Sequence, residues 1–232
     1  SAQAVITVLI VGILFTLLTI GLSSKVPVWM QVDPSIRRMA SSYFLILYSP
    51  MLFRTANIIF GTVLRAVGDT KTPMQVGVAF NVINIVLNYF LIYSTRTVSI
   101  GGKNVLIPGA GWGVQGAAAA SAIAYTIGGI AITIKLWKHP DISPKGQSFK
   151  LDKVVLKPCL KVAVPNMFQR FATSLGYVAF ASMINSLGET ATAAHTIANT
   201  VESAFYIPGW GMQTAAATLA GNALGANDNK KL

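Results

Sequence analysis

The stretch from His195 to Gln213 contains a single formal charge, the carboxylate of Glu202, among apolar and uncharged residues. His195, Asn199, Glu202, Tyr206 and Gln213 follow one another at steps of four, three, four and seven residues. On an α-helix these steps form one continuous face. A carboxylate beside amide and hydroxyl groups can bind a cation or exchange a proton, so this face is the first candidate for chemistry.

Two further stretches place polar side chains on one helical face. The first contains Asn166, Gln169, Arg170, Thr173 and Tyr177, and the second contains Asn81, Asn84 and Asn88. Asparagines at such spacing either hydrogen-bond a neighbouring helix or line a cavity, and both interpretations stay open. His195 falls near a helix end, where a histidine with satisfied hydrogen bonds is the simpler interpretation.

The composition indicates that the helices carrying these faces cross a membrane. The chain has 232 residues, of which 53% are apolar and 11% charged, and its mean hydropathy is +0.59. Charged residues are absent from residues 1–24, 72–95, 104–134 and 203–227. Each gap exceeds the roughly 20 residues that cross about 30 Å of hydrocarbon as a helix. Strands of a membrane barrel are excluded, because they alternate over about ten residues.

Two more apolar stretches qualify as spans, each interrupted by one arginine, Arg54 or Arg170. The sequence therefore predicts an all-α integral membrane protein with six transmembrane helices. Their predicted bounds are Val5 to Leu22, Met39 to Leu64, Pro73 to Tyr93, Gly113 to Leu136, Val162 to Leu187 and Ala193 to Leu224. We expect the guanidinium of Arg54 to reach the inner headgroups or a backbone carbonyl.

The basic residues outside the spans predict the orientation. Five lie on one side and eleven on the other, including all seven lysines from Lys135 to Lys161. Because positive charge concentrates on the cytoplasmic side, the Lys135–Lys161 loop is predicted to be cytoplasmic. The net charge of +11 then reflects topology and anionic lipid, and nucleic acid is excluded as a partner for lack of a basic soluble module.

The Lys135–Lys161 segment also predicts a boundary between two bundles. Pro140, Pro144 and Gly146 prevent one continuous helix, and residues 150–157 are compatible with a short amphipathic turn on the membrane surface. Within the bundles, small residues recur every fourth position and predict close helix packing. These residues are Gly116, Ala120, Ala124 and Gly128 in one span, and Gly221 with Gly225 in another.

Glu202 requires a particular environment, because an ionised carboxylate inside the bilayer costs at least about 2.5–3.5 kcal/mol. It should be paired, hydrated or protonated, and Arg170 is the nearest cation by sequence reasoning. Pro208 follows six residues later and is flanked by Gly209 and Gly211. A proline removes a helical hydrogen bond, so these three residues predict a hinge beside the acid.

Enzymatic chemistry finds little support in the sequence. Two histidines and one cysteine offer no metal-binding spacing, and we find no glycine-rich phosphate loop and no serine with a base. We therefore expect neither an enzyme nor a bound metal or cofactor. A channel stays open as an alternative, because asparagine faces can line a pore.

Several stretches together resemble the MATE (multidrug and toxic compound extrusion) transporters. They are LRAVGDTKTPM from Leu64, NVINIVLNYFLIY from Asn81, PGAGWGVQGAAAASAIA from Pro108, VAVPNMFQR from Val162, SLGETATAAHTIA from Ser186 and PGWGMQTAAATLAGNALGA from Pro208. The resemblance implies twelve helices in two lobes and the export of organic, often cationic compounds in antiport with Na⁺ or H⁺. A related lipid-linked oligosaccharide flippase is the alternative within the same superfamily.

The resemblance also implies which part of a transporter this chain represents. Residues 1–137 correspond to the third to sixth family helices, residues 138–161 to a cytoplasmic interlobe linker, and residues 162–232 to the seventh and eighth helices. The chain is thus expected to be a fragment of a transporter in the plasma (inner) membrane. Some members carry an acid where Thr173 or Asn88 stands here, so those roles are not transferred.

The predicted cargo-binding or cation-binding set combines the polar faces on three spans. It comprises Glu202, Asn199, Tyr206, Asn84, Asn88, Asn81, Gln169, Arg170 and His195, with Pro208, Gly209 and Gly211 as the hinge. The expected partners are a small organic cargo, the lipid bilayer and the remaining helices of the full-length transporter.

Overall fold

The computed structural model describes residues 2–29, 34–100, 103–147, 149 and 152–226. Within them the chain is helical apart from one pair of strands. The elements are α1 (Ala2–Leu22), α2 (Val26–Trp29), α3 (Pro34–Tyr48), α4 (Met51–Ala66), α5 (Lys71–Ile92), β1 (Ser94–Ile100), β2 (Lys103–Ala110), α6 (Gly113–Lys138), α7 (Lys153–Asn185) and α8 (Glu189–Gly225). The predicted helical membrane architecture is confirmed.

The predicted second span is not one helix. It is divided at Ser49 and Pro50 into α3 and α4, whose axes meet at 41°. The reason is Pro50, which has no N–H to donate and instead starts α4, its carbonyl accepting from the N–H groups of Phe53 and Arg54 at 3.0 and 3.1 Å. Counted by length and composition, α1, α5 and α6 can each cross a membrane, and the bent pair is a fourth candidate.

The two long helices α7 and α8 carry the predicted polar faces and do not qualify as spans by composition alone in the described residues. Helix α7 has 33 residues and α8 has 37, about 50 and 55 Å at 1.5 Å per residue. Both exceed the roughly 30 Å of hydrocarbon. Their length is therefore sufficient to cross a membrane, and it is their polar residues that lower their mean hydropathy.

Helix α7 begins earlier than predicted, inside the segment expected to be a linker. The side chain of Asp152 accepts a hydrogen bond from the N–H of Val154 at 2.8 Å and caps the first turn. The helix then continues through Pro158 and Pro165. The prediction of a separate amphipathic turn over residues 150–157 is therefore wrong for the described part of that range, because residues from Lys153 onward belong to α7. Lys150 and Leu151 lie outside the described residues.

The strands β1 and β2 were not predicted. They pair antiparallel, with Val98 opposite Val105 and an irregularity between Ser94 and Arg96. The side-chain oxygen of Thr95 also accepts a hydrogen bond from the N–H of Gly109 at 3.2 Å. The β-branched residues of both strands favour this extended structure over helix.

Small residues determine how closely the helices of residues 1–150 pack. A Cβ atom added at Gly116 of α6 would collide with the backbone carbonyl of Leu91, and one at Gly128 would lie 3.1 Å from Asn57 Nδ2 and 3.3 Å from Phe80 Cβ. This confirms the packing role predicted for the α6 stripe. The Gly221 and Gly225 stripe of α8 differs, since nothing in the described residues lies within 4 Å of a Cβ at either position.

The chain divides into two compact units, residues 1–150 and residues 151–232. In the first unit an apolar core joins α1, α4 and α6, with Phe60, Leu64, Ile132 and Leu136 almost fully buried. The second unit consists of α7 and α8 in its described part. The finer boundaries expected from sequence, at residues 137 and 161, stay a prediction.

Candidate functional site

Helices α7 and α8 contact each other near the turn that connects them. The chain reverses at Gly188, whose φ of 103° is accessible to glycine and strained for other residues. Beyond this turn the His195 and Phe180 rings meet edge to face, with 5.5 Å between their centroids. One turn further, Asn199 Nδ2 donates a hydrogen bond to the hydroxyl of Tyr177 at 2.9 Å. The two polar faces predicted from sequence thus meet at this level.

Farther from the turn, the same two helices border an open groove of about 680 Å³. Its lining includes two of the predicted site residues, Gln169 and Arg170. The full lining is Asn166, Gln169, Arg170, Thr173, Ser174, Trp210, Gln213 and Thr214. Amide, hydroxyl and guanidinium groups dominate this list, with the Trp210 indole as one large flat apolar surface. Such a groove can hold an aromatic molecule that also carries hydrogen-bonding groups.

Glu202 lies between the helix contact and the groove. Its Oε1 accepts a hydrogen bond from the hydroxyl of Tyr206, one turn along α8, at 3.0 Å. Arg170, by contrast, lines the groove and forms no ion pair with Glu202 among the described residues. The carboxylate is therefore positioned by its own helix, and its second oxygen is available to a cation or a proton.

Pro208 also falls between the helix contact and the groove. Helix α8 continues through it without interruption, so the helix is not broken at this residue. Gly209 and Gly211 have nothing within 4 Å of an added Cβ among the described residues, and their neighbourhood has room for movement. The proposed hinge role of all three residues stays a prediction.

The three asparagines of α5 belong to the first unit and are engaged in local bonds. Asn84 Nδ2 donates to the hydroxyl of Ser121 on α6 at 3.2 Å, and Asn88 Nδ2 donates to Asn84 Oδ1 at 3.1 Å. Asn81 Nδ2 donates to the carbonyl of Gly77 in its own helix at 2.9 Å. Asn84 therefore links α5 to α6, whereas Asn88 Oδ1 is buried without a hydrogen-bond partner in the described structure.

Arg54 corrects an expectation from the sequence. Its guanidinium carbon lies 4.9 Å from the ring centre of Tyr125 and 5.7 Å from that of Tyr48. Among the described residues it donates no hydrogen bond to a backbone carbonyl, and its contacts are the Tyr48 ring of α3 and the Tyr125 ring of α6; the expected reach toward the headgroups stays a prediction. Sequence reasoning also missed Ser121. The available signal was its hydroxyl group, which stands among the alanines of α6.

No group of three histidine, cysteine or acidic side chains suited to a metal ion occurs in the described part of the chain. Apolar helices of spanning length in the first unit, followed by two long helices whose polar faces meet and border a groove, are typical of an integral membrane protein. The chain belongs to the MatE family, whose sequence pattern matches residues 1–90 and 165–232. This is a family of multi-pass membrane transporters and not of enzymes.

Similar proteins carry names that describe drug resistance. The chain is 27% identical over 226 residues to the probable multidrug resistance protein NorM of Thermotoga maritima, covering 94% of this chain and 45% of that protein. It is 29% identical over 227 residues to the probable multidrug resistance protein YoeA of Bacillus subtilis, covering 96% and 45%. The chain thus spans about half the length of these relatives.

A solved structure has the same fold over nearly the whole chain. It is the inward-facing conformation of a multidrug resistance MATE family transporter, with a TM-score of 0.70 and 24% sequence identity. The match covers 98% of this chain and 49% of that structure. The expected arrangement, part of a twelve-helix transporter, is therefore confirmed.

Proposed function

We propose that the full-length protein exports organic, often cationic compounds across the plasma membrane in exchange for Na⁺ or H⁺. The observation that supports this most directly is the polar groove bordered by α7 and α8, on the same helix α8 that carries the Glu202 carboxylate two turns before Trp210. The Trp210 surface suits an aromatic cargo, and a carboxylate suits its positive charge. The similar proteins are named as probable multidrug resistance proteins, which is compatible with an organic cargo.

In this proposal the Glu202 carboxylate is where cargo and coupling ion compete. Protonation, or a bound Na⁺, neutralises the group and weakens its attraction for a cationic cargo, and removal of the ion restores that attraction. Tyr206 holds one carboxylate oxygen in place, and Asn199 ties the same face to α7 through Tyr177. A ligand that prefers one of two conformations shifts their populations, which is the requirement for alternating access.

The other predicted site residues have supporting roles in the proposal. Gln169 and Arg170 orient the polar groups of a cargo in the groove, and His195 packs on Phe180 near the turn that joins the two helices. Pro208, with Gly209 and Gly211, lets the groove half of α8 move relative to the half that contacts α7. Asn84, Asn88 and Asn81 offer amide oxygens in the first unit as a second place for a coupling ion.

The decisive experiment uses the full-length transporter in proteoliposomes with an imposed Na⁺ or H⁺ gradient. Gradient-driven export of ethidium should be lost or greatly reduced with Glu202→Gln, which keeps the size and removes the charge. Asp141→Asn makes the same change of charge in an exposed loop residue and should leave export unchanged. Normal export by Glu202→Gln at every pH and Na⁺ concentration would exclude Glu202 from the mechanism.

A further inference from the structure

The hairpin of β1 and β2 joins α5 to α6 at the end of both helices that lies away from the Lys135–Lys161 loop. It carries an arginine that the proposed export mechanism does not use, Arg96, four positions after the last residue of α5 at Ile92. The 22 residues of α5 extend over about 33 Å, enough to cross the roughly 30 Å of hydrocarbon. We therefore expect Arg96 at the level of the lipid headgroups, on the side of the membrane opposite that loop.

Two tyrosine rings hold the guanidinium of Arg96 in place. Its central carbon lies 4.4 Å from the ring centre of Tyr89 and 4.1 Å from that of Tyr93, and both are cation–π distances. The two tyrosines are one helical turn apart, with 6.2 Å between their ring centres. A side chain that is already held loses less conformational entropy when it binds a ligand. We call these three side chains the Arg96 site.

The backbone beside the Arg96 site is fixed to the end of α5. The N–H of Gly111 donates a hydrogen bond to the carbonyl of Tyr93, and the N–H of Trp112 donates to the carbonyl of Leu91, both at 2.9 Å. The side chains of Tyr93 and Trp112 are exposed. Exposed tyrosine and tryptophan at helix ends are typical of the membrane–water interface. The Arg96 site therefore belongs to a belt of interfacial aromatic residues.

The ring contacts leave the N–H groups of Arg96 available to an anion. A guanidinium has five N–H donors, and in the described part of the chain Arg96 donates no hydrogen bond and meets no carboxylate. The sequence has no acidic residue between Asp69 and Asp141, whereas Lys103 adds a second positive charge to the hairpin. Phosphate is the anion of lipid headgroups, and arginine binds it through two parallel hydrogen bonds.

An apolar surface leads along α5 from the Arg96 site into the membrane. Ile85 precedes Tyr89 by four residues and Val82 precedes Ile85 by three, so the three side chains share one face of the helix. Ile85 is 68% exposed and Val82 53% exposed. A positive group at headgroup level above an apolar stripe matches the two parts of a phospholipid, its phosphate and its acyl chains.

We propose that the Arg96 site binds an anionic phospholipid, with the phosphate on the guanidinium and an acyl chain along the face of α5 that carries Ile85 and Val82. The lipid fixes the hairpin to one leaflet of the membrane. This interaction goes beyond the proposed export function, because it involves neither cargo nor coupling ion.

The test uses the purified full-length transporter in detergent micelles with a phosphatidylglycerol that carries a photoreactive group near its glycerol backbone. After illumination, mass spectrometry of proteolytic peptides measures the crosslink yield in residues 94–112 and, for reference, in residues 135–161. Arg96→Gln should lower the yield in residues 94–112 by about ten-fold or more, as expected for a lost charge-assisted pair, and leave the reference unchanged. Arg96→Lys, which keeps the charge and loses the planar fork, should give an intermediate yield.

Competition identifies the ligand. Unlabelled phosphatidylglycerol should displace the probe from residues 94–112 at about a ten-fold lower concentration than phosphatidylcholine, whose headgroup has no net charge. Glycerol 3-phosphate at the same concentration should not displace it, because it lacks acyl chains. Equal competition by the two lipids would overturn the proposal, and displacement by glycerol 3-phosphate would indicate a site for free phosphate instead.

Lys71→Gln is the matched control, because it makes the same change of charge at an exposed residue at the opposite end of α5. It should leave the yield in residues 94–112 unchanged. An equal loss with Lys71→Gln and Arg96→Gln would show that net charge alone attracts the lipid, and would overturn the proposal. A wild-type protein without a crosslink in residues 94–112 would do the same, since another helix would then cover this face.

A further pair of variants keeps the proposal testable if Arg96→Gln does not fold. Tyr89→Leu combined with Tyr93→Leu leaves the guanidinium and removes both rings, and it should lower the yield in residues 94–112 by about three- to ten-fold. Tyr89→Phe combined with Tyr93→Phe keeps the rings and should leave the yield unchanged. An unchanged yield in the leucine variant counts against the Arg96 site. The readout involves no transport, so failure of the export proposal would leave this result standing.

Discussion

The hydrogen bond between Asn199 and Tyr177 gives a direct measure of how strongly the two polar faces of α7 and α8 are joined. Asn199 Nδ2 lies 2.9 Å from the Tyr177 hydroxyl, a good geometry for this pair of atoms. Double-mutant cycles in a membrane protein give about 0.6 kcal/mol for such interhelical bonds, with a maximum of about 1.7 kcal/mol. We expect a coupling energy in this range between Tyr177→Phe and Asn199→Ala.

The coupling is measured by equilibrium unfolding of the full-length protein in mixed micelles for the wild type, both single variants and the double variant. Thr173→Val is the matched control, because the Thr173 hydroxyl donates to the Gln169 carbonyl of its own helix at 2.9 Å. Its effect should add to that of Asn199→Ala within about 0.3–0.5 kcal/mol. A Tyr177–Asn199 coupling no larger than this control would show that the bond does not hold α7 to α8.

Two further predictions concern the first unit. Gly116→Ala should destabilise the protein by about 1–3 kcal/mol in the same unfolding assay, because the added methyl group collides with the backbone carbonyl of Leu91; Gly128→Ala should cost less, since its nearest neighbours are side-chain atoms at 3.1–3.3 Å that can shift. Asp69→Ala should lower stability by about 1 kcal/mol at pH 7, as the Asp69 carboxylate accepts from the N–H of Thr72 at 3.0 Å at the start of α5. The Thr72 side-chain hydrogen bond, followed by this backbone bond, lowers the pKa of Asp69 from 3.8, so the contribution of the ionised carboxylate is complete above that pH and declines as the pH falls through the lowered value. A stability difference that is independent of pH would contradict this account.

The parts of the fold that the sequence predicted are those determined by periodicity and by the length of apolar runs. The spacing of Asn199 and of Tyr177 assigns each residue to the polar face of its own helix, and a hydrogen bond joins the two side chains. The stripe from Gly116 to Gly128 likewise predicts the close packing of α6. Both signals are local properties of one helix, which a sequence records directly.

The features that sequence reasoning missed depend on contacts between distant segments. Arg54 was expected to reach outward, because nothing in the neighbouring sequence shows that Tyr125, 71 positions later, lies 4.9 Å from its guanidinium. The division at Pro50 was also missed, since a proline can begin a helix as well as kink one. In the groove, Trp210 and Thr214 were overlooked, because a tryptophan or a threonine in a membrane helix does not by itself indicate a cavity.

The two units differ in how far their polar side chains are already satisfied, and this difference supports the proposal that exchange takes place in the second unit. In the first unit Asn84 uses both ends of its amide, one for Ser121 and one for Asn88, so binding a cargo there requires breaking a helix contact. In the second unit Glu202 is bonded to a residue of its own helix, and the groove farther along α8 is open. We therefore expect that exchange of a cargo or an ion at Glu202 leaves the hydrogen bond between Asn199 and Tyr177 intact.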